Sequence, residues 1–403
     1  MQTNTILLIV FIAALTTIIA VAMTLGFVLT PSPQTSSVSP TPNTLPTPTP
    51  PLLHFISPYV PIFSRTVGSS TPSTIYKLDA KNRIFAPVYS SLTDVYQVGG
   101  TLTVDQDYVL VAATKSIQLV NFRLAKLITT SYPPVSGPNI SNIDVNFGGT
   151  MAIVTQNQND NTYYRMPRAT VALETLSYPS VGRIWYGSLS KTADKAYLLT
   201  YDTTLPPLRL GVVNNFSTTP TPDSSSGVIS LNLLTRVCSF LNTPMILSTN
   251  SQKMFVALQD ASFNFGVVTM DLTVSPPTIV AENSWDLTGL VGGSTTVKGF
   301  AVSSDGLYAY FVTSVNPQCI AVNLQTGAVT MFGSGLPIAP VDMLVSNKTV
   351  FVLDEESATV NKGQMLMWDI TTAYTYLTTQ LFPTNAEGFC FGINSDVAAG
   401  LIA

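Results

Sequence analysis

The stretch Phe300–Ser314, FAVSSDGLYAYFVTS, reads as two short strands joined by a tight turn. Asp305-Gly306 supplies residue types that tolerate a positive φ, and the following YAYFV is apolar and aromatic enough to be a buried strand. Six other stretches share this shape: LTVDQDYVLVAAT (Leu102–Thr114), IDVNFGGTMAIVT (Ile143–Thr155), GSLSKTADKAYLLTY (Gly187–Tyr201), ILSTNSQKMFVAL (Ile246–Leu258), MLVSNKTVFVLD (Met343–Asp354) and FGINSDVAAGLIA (Phe391–Ala403). The seven turns fall near Gln106, Gly148, Thr192, Asn250, Asp305, Asn347 and Ser395, at spacings of 42, 44, 58, 55, 42 and 48 residues. A unit of about 40–50 residues with four strands is the period of a propeller blade. No long 3.6-residue apolar period competes with it.

Working outward, a second strand pair follows most hairpins. CIAVNLQTGAVTMF (Cys319–Phe332), VVTMDLTVSPPTIV (Val267–Val280) and GQMLMWDITTAYTYLT (Gly363–Thr378) are examples. TIYKLDAKNRIFAPV (Thr74–Val88) has this outer character with no inner hairpin before it, whereas Phe391–Ala403 is an inner hairpin with nothing after it. The expectation is that the two share one blade, closing a ring and removing the exposed sheet edges that invite aggregation. The fold class is therefore all-β: a seven-bladed β-propeller over 57–403 with closure between its N- and C-terminal strands. The two long intervals hold polar inserts, notably FSTTPTPDSSSG (Phe216–Gly227), expected as extended loops.

The SSDG turn before YAYFV and the AVNLQTGAV strand pair resemble the repeats of seven-bladed propellers of the YVTN/WD-like superfamily, which includes lactonase-like hydrolases. The resemblance covers 57–403 and implies architecture rather than activity. Trp285-Asp286 and Trp368-Asp369 lack the upstream Gly-His of a true WD repeat.

The N-terminal region differs in kind. No Asp, Glu, Lys or Arg occurs before Arg65. Ile6–Leu29 is a mostly apolar run of 24 residues, which as a helix would be about 36 Å long against a hydrocarbon core of roughly 30 Å. Residues 1–29 are therefore expected to be a transmembrane signal-anchor (helix 6–29). Cleavage near Ala22, at Ala20-Val21-Ala22, is the competing reading; it would give a secreted or periplasmic propeller. Residues 30–56 form a Pro/Ser/Thr-rich stalk: in Pro31–Pro51, 17 of 21 residues are of these types. Such a segment suits an extended spacer, glycosylated or plain. Lys and Arg are missing from both flanks of the apolar run, so charge does not orient it. The stalk and three N-glycosylation sequons, at Asn139, Asn215 and Asn347, favour an extracytoplasmic C-terminal domain.

Composition limits the chemistry. Charged residues make up 10% of the 403, with net charge −4, which excludes the clustered cations of a nucleic-acid binder. With one His, His54, and three dispersed Cys (Cys238, Cys319, Cys390), a His-rich metal site, a zinc site and a Ser-His-Asp triad are not expected. Buried free thiols are the default for the three Cys, with Cys238–Cys319 or Cys319–Cys390 bridges as alternatives. Trp185, Trp285 and Trp368 read as blade-packing groups.

Propellers bind at the face where second strands end and first strands begin. Residues ending second strands there are Asp202, Asp260, Asp354, Glu355 and Glu356; Asp144, Asp342 and Glu387 open first strands, with Arg183 and Lys298 as counter-charges. The candidate ligand-binding set is Asp202, Asp260, Asp354, Glu355, Asp342 and Glu387. Solvated loop acids are the plain alternative. The set would suit a cationic ligand or Ca2+, which takes six to eight oxygens, although no DxDxDG loop is present and no motif requires a cofactor. No catalytic residue is assigned. The expected function is non-catalytic recognition of a protein or glycan, in attachment, adhesion or scaffolding at a cell or virion surface. A tethered lactonase-like hydrolase is the alternative.

Overall fold

The computed structural model describes most of residues 59–390; the undescribed parts are those before Tyr59, after Cys390 and several connecting stretches, of which 132–139 and 355–363 are the longest. The anchor and stalk expected at 1–29 and 30–56, and the hairpin expected at Phe391–Ala403, lie outside the described residues. Among those described, no helix is long and apolar enough to cross a membrane.

The chain forms antiparallel sheets, six of them from consecutive strands. Three strands come first: β1 (Tyr59–Thr66), β2 (Ser73–Asp79) and β3 (Ile84–Leu92). The first sheet is β4 (Gln97–Leu102), β5 (Tyr108–Ala113), β6 (Ile117–Asn121) and β7 (Lys126–Ser131). The second is β8 (Ile140–Val145), β9 (Met151–Gln156), β10 (Thr162–Pro167) and β11 (Glu174–Ser177). The third is β12 (Arg183–Leu189), β13 (Lys195–Tyr201) and β14 (Leu208–Asn214), with β15 (Thr221–Pro222) and β16 (Ile229–Ser230) both against β14. In the fourth, β17 (Arg236–Val237) and β18 (Met245–Leu247) share the inner edge of β19 (Lys253–Gln259), followed by β20 (Asn264–Asp271) and β21 (Thr278–Asp286). The short helix α1 (Leu287–Val291) leads to the fifth sheet: β22 (Val297–Val302), β23 (Tyr308–Thr313), β24 (Cys319–Asn323) and β25 (Val329–Phe332). The sixth is β26 (Pro340–Ser346), β27 (Thr349–Asp354), β28 (Gln364–Asp369) and β29 (Thr375–Leu381); β30 (Ala386–Cys390) ends the described chain.

One local device makes four of the inner hairpins. Asn146, Ser190, Ser248 and Ser303 each donate their amide to the carbonyl five residues on, at 2.9–3.0 Å. Each also accepts, on its side-chain oxygen, the amide of that same residue: Met151, Lys195, Lys253 or Tyr308. The residue three along closes a tight turn and takes a positive φ: Gly149, Ala193, Ser251 and Gly306. A short polar side chain that satisfies the turn's orphan amide is the physical content of the repeated turn, a Ser or Asn three positions before a positive-φ residue. Outer hairpins use an Asx residue at the end of the third strand instead. Asn121, Asp271, Asn323 and Asp369 each accept a loop amide two or three residues on.

Neighbouring sheets bury their apolar faces against each other, and this makes the ring. Leu110, Ile117 and Leu119 of the first sheet join Ile143, Val154 and Tyr164 of the second. Ile153 and Tyr163 of the second join Ile184, Leu198 and Val213 of the third. Leu199, Leu210 and Val212 of the third pack on Met254, Val256 and Val268 of the fourth. Phe265 of the fourth lies 4.3 Å, centroid to centroid, from Phe311 of the fifth, and Tyr310 and Phe332 of the fifth share a cluster with Val352 and Trp368 of the sixth. Innermost strands approach so closely that a Cβ on Gly299 would lie 2.6 Å from Met343. Arg165 ties the second sheet to the third, donating to the carbonyls of Phe216 and Thr218 at 2.9 and 2.7 Å while pairing with Glu174.

Two expectations need correction. First, closure joins three N-terminal strands to one C-terminal strand, in the order β3-β2-β1-β30. β30 pairs with β1 from Ile62–Cys390 to Thr66–Ala386, so β1 fills the second-strand place that the Phe391–Ala403 hairpin was expected to supply. Pro61 hides β1 from a sequence reading, because proline argues against a central strand; it lies just beyond the ladder with β30. Second, the Phe216–Gly227 insert is not simply an extended loop: Thr221–Pro222 pairs with β14, and Phe216 is wholly buried, stacked on Tyr163. The default expected for Cys319 holds: it is a buried free thiol, so neither alternative bridge to it exists. Burial pushes its pKa up, as expected of an inert core thiol.

Candidate functional site

The innermost strand of each sheet leaves one edge towards the ring axis, and these strands carry a shared irregularity. In five sheets the register slips by one residue near the strand's start: Gln97/Gly99, Ile140/Asn142, Ile184/Tyr186, Val297/Gly299 and Pro340/Asp342. The extra residues are Val98, Ser141, Trp185, Lys298 and Val341. In the fourth sheet the same level is where 238–244 intervene, since Val237 pairs with Leu258 and Met245 with Val256. A bulge re-aims a side chain and often lies beside a functional site. The ring therefore has an inner rim, at the end where first strands begin, marked by bulges whose residue types share no pattern. That is why sequence reasoning missed them.

The acids expected at this rim divide into three groups. Asp202, Asp260, Glu355 and Glu356 lie outside the described residues. Glu387 lies on β30 opposite Arg65. Asp342 and Asp354 are buried and are not brought together. Asp342 pairs with Leu353, so strand alternation puts Asp354 on the other face of the sheet. Asp342 accepts the Met343 amide at 2.8 Å, and Asp354 accepts a hydrogen bond from Gln364 Nε2. Among the described residues, no three His, Cys, Asp or Glu side chains are grouped to hold a metal ion.

Asp144 has become part of the frame. Its Oδ2 accepts the Ser188 hydroxyl at 2.8 Å and the Leu189 amide at 2.9 Å, both from the innermost strand of the next sheet. Its Oδ1 accepts the Val145 amide at 2.9 Å. Burial outweighs these donors and raises its pKa to about 6. Asn142, two residues earlier, donates to the Gly187 carbonyl at 2.8 Å, so one strand reaches the next sheet twice.

Arg183 and Trp185 open β12 at the rim. The Arg183 guanidinium lies over the Trp185 ring, 5.2 Å from its centroid. Trp185 also packs on the core between the third and fourth sheets, so the packing role expected for it holds. The sequence marks Arg183 only as a counter-charge; the aromatic residue two positions on is the signal that it is held in place.

No family model matches the sequence, and no curated protein does. Solved structures match by shape. The β-propeller domain of Cps50 (Swd1) from Myceliophteria thermophila has a TM-score of 0.56 at 11% identity, over 74% of this chain and 91% of that one. The chain folds as a β-propeller. A functionally unknown protein from Desulfotomaculum acetoxidans gives a TM-score of 0.57 at 12% identity, over 82% and 99% of the two chains. Dihydro-heme d1 dehydrogenase NirN gives 0.56 at 10% identity, over 87% and 78%. At such identities the likeness concerns the β-propeller architecture alone.

Proposed function

We propose that this β-propeller is a recognition module with seven blades of the YVTN/WD-like kind, the sheet shared by β30 and β1–β3 being the seventh. It is held outside the cytoplasm by the apolar segment at 6–29 and the stalk at 30–56. The observation that carries the recognition reading is the use made of the described rim carboxylates. Asp144 and Asp354 are committed to hydrogen bonds inside the ring, which suits a rigid rim that positions a ligand. The exposed Asn215 supports the location: it stands in the turn after β14 with a positive φ, beside the buried Phe216. A glycan there would project into solvent.

The full-length chain in its native membrane tests both parts. Glycosidase treatment should lower its mass, and external protease should reach the ring. A mass that does not shift, together with a protected ring, would remove the location. Purified in detergent, the chain should bind a protein or glycan surface without turning over a panel of simple esters and lactones. Turnover that depends on Ca2+, with a Ca2+-dependent rise in Tm, would replace recognition with the hydrolase reading.

A further inference from the structure

The outermost strand of the fourth sheet differs from its counterparts. β21 is nine residues long, whereas β11 and β25 have four and β15 two. Its side chains alternate strictly between exposed and half-buried, and no described strand pairs with its outer edge. A long edge is usually blunted by Pro, Lys or a bulge, because unpaired N–H and C=O groups invite another chain. β21 contains neither Pro nor Lys. Its one bulge falls at Val280, between the pairs Met270–Ile279 and Thr269–Ala281, and leaves Ala281–Asp286 in unbroken register. The half-buried face fixes this edge to the ring. Asn283 donates to the Leu324 carbonyl at 3.2 Å, and the Trp285 ring lies 6.4 Å, centroid to centroid, from both Phe265 and Phe311. An edge held rigid before binding loses little freedom when a strand is added. On the exposed face stand Val280, Glu282, Ser284 and Asp286. Glu282 has no ion-pair or hydrogen-bond partner among the described residues, and Asp286 accepts the Gly289 amide. A second copy of this edge would bring like charges together, whereas a strand with cations four residues apart meets both carboxylates.

We propose that Ala281–Asp286 is a docking edge for an extended basic peptide, which adds to the fourth sheet as a further antiparallel strand. The edge lies on the outside of the ring rather than at its rim, so the proposal goes beyond the recognition reading and does not depend on it. The test measures binding of a fluorescent peptide, KVSVKTV, to full-length protein in detergent by anisotropy. Run antiparallel, its two lysines fall opposite Asp286 and Glu282. The peptide should bind, and less tightly at high salt. Glu282→Lys should weaken binding roughly threefold to tenfold without lowering Tm, and should shift preference to EVSVETV, in which glutamates replace the lysines. Successive amides of a strand point to opposite sides. N-methylation of every second residue should therefore abolish binding in one phase and spare it in the other. Three outcomes overturn the proposal: no binding of KVSVKTV, unchanged affinity in Glu282→Lys, or both methylation phases behaving alike. Self-association of the full chain that Glu282→Lys changes also overturns it, by assigning the edge to a second copy. None of these outcomes touches the recognition reading, which stands or falls on surface binding and ester turnover.

Discussion

Gln118 is wholly buried on β6, with neither its amide nitrogen nor its amide oxygen hydrogen-bonded. Its neighbours across the ladder are Val111 and Thr130, and Ile75, Val111 and Val120 form the apolar cluster on that side of the ring. An unsatisfied buried amide costs about 1–3 kcal/mol, and an apolar group of similar shape avoids the cost. Gln118→Leu should therefore raise the urea midpoint, with the unfolding free energy up by about 1–3 kcal/mol. A lower midpoint would show that the amide has a partner. Asp144 gives the second residue-scale expectation, and here the sign matters. Its pKa is raised in the folded state, from 3.8 to about 6, so between those values the folded chain holds more protons than the unfolded one. Stability from this group is present below about pH 4 and is lost as pH rises to about 6, by ~3 kcal/mol in all. Melting wild type and Asp144→Asn across pH 4–7 should show a decline in wild type that the variant lacks. Parallel curves would mean that the carboxyl is not desolvated as its position implies.

Turns show best what the sequence reveals at the scale of elements. The hairpin between β26 and β27 has a two-residue connection, with Lys348 at φ +63° and exposed. A left-handed conformation costs an ordinary residue about 1–2 kcal/mol, and glycine largely escapes it. Lys348→Gly should raise Tm by the equivalent of about 1 kcal/mol, less what the unfolded chain gains in freedom; an unchanged Tm would mean that the turn relaxes. Hairpins of this kind were legible because their chemistry is local. The Ser or Asn that begins a turn and the residue that accepts a positive φ sit three positions apart in the chain, so Asp305-Gly306 could be read without any tertiary information. The elements that escaped reading are set by distant partners. β1 contains Pro61 and becomes a strand through β2 and β30. The innermost strand of the fourth sheet is split because 238–244 intervene, which neither Val237 nor Met245 foretells. The site divides in the same way. Arg183 and Trp185 are two apart and their stacking is a local event, whereas the commitment of Asp144 depends on Ser188 and Leu189, 44 and 45 residues away.

Closure is the property of the whole molecule on which the rim depends. Six sheets are contiguous in sequence, and each could assemble from its own strands; the remaining one exists only when β30 returns to β1. The strand also lies beside β26, so it links the sixth sheet to the beginning of the ring. Without β30, the inner edge of β1 loses its ladder from Ile62 to Thr66 and presents unpaired backbone groups, a template for edge-to-edge association. Closure by Ala386–Cys390 rather than by Phe391–Ala403 makes a sharp comparison between two truncations. Removal of 391–403 leaves β30 in place and should preserve a single cooperative unfolding transition. Removal of 382–403 deletes β30 and should broaden or split that transition and promote aggregation, read by calorimetry together with light scattering. If the shorter deletion alone already abolished cooperativity, the closing contacts would have to lie beyond Cys390. If neither deletion had an effect, the ring would not depend on its shared sheet, and adjacent apolar seams alone would hold the circle.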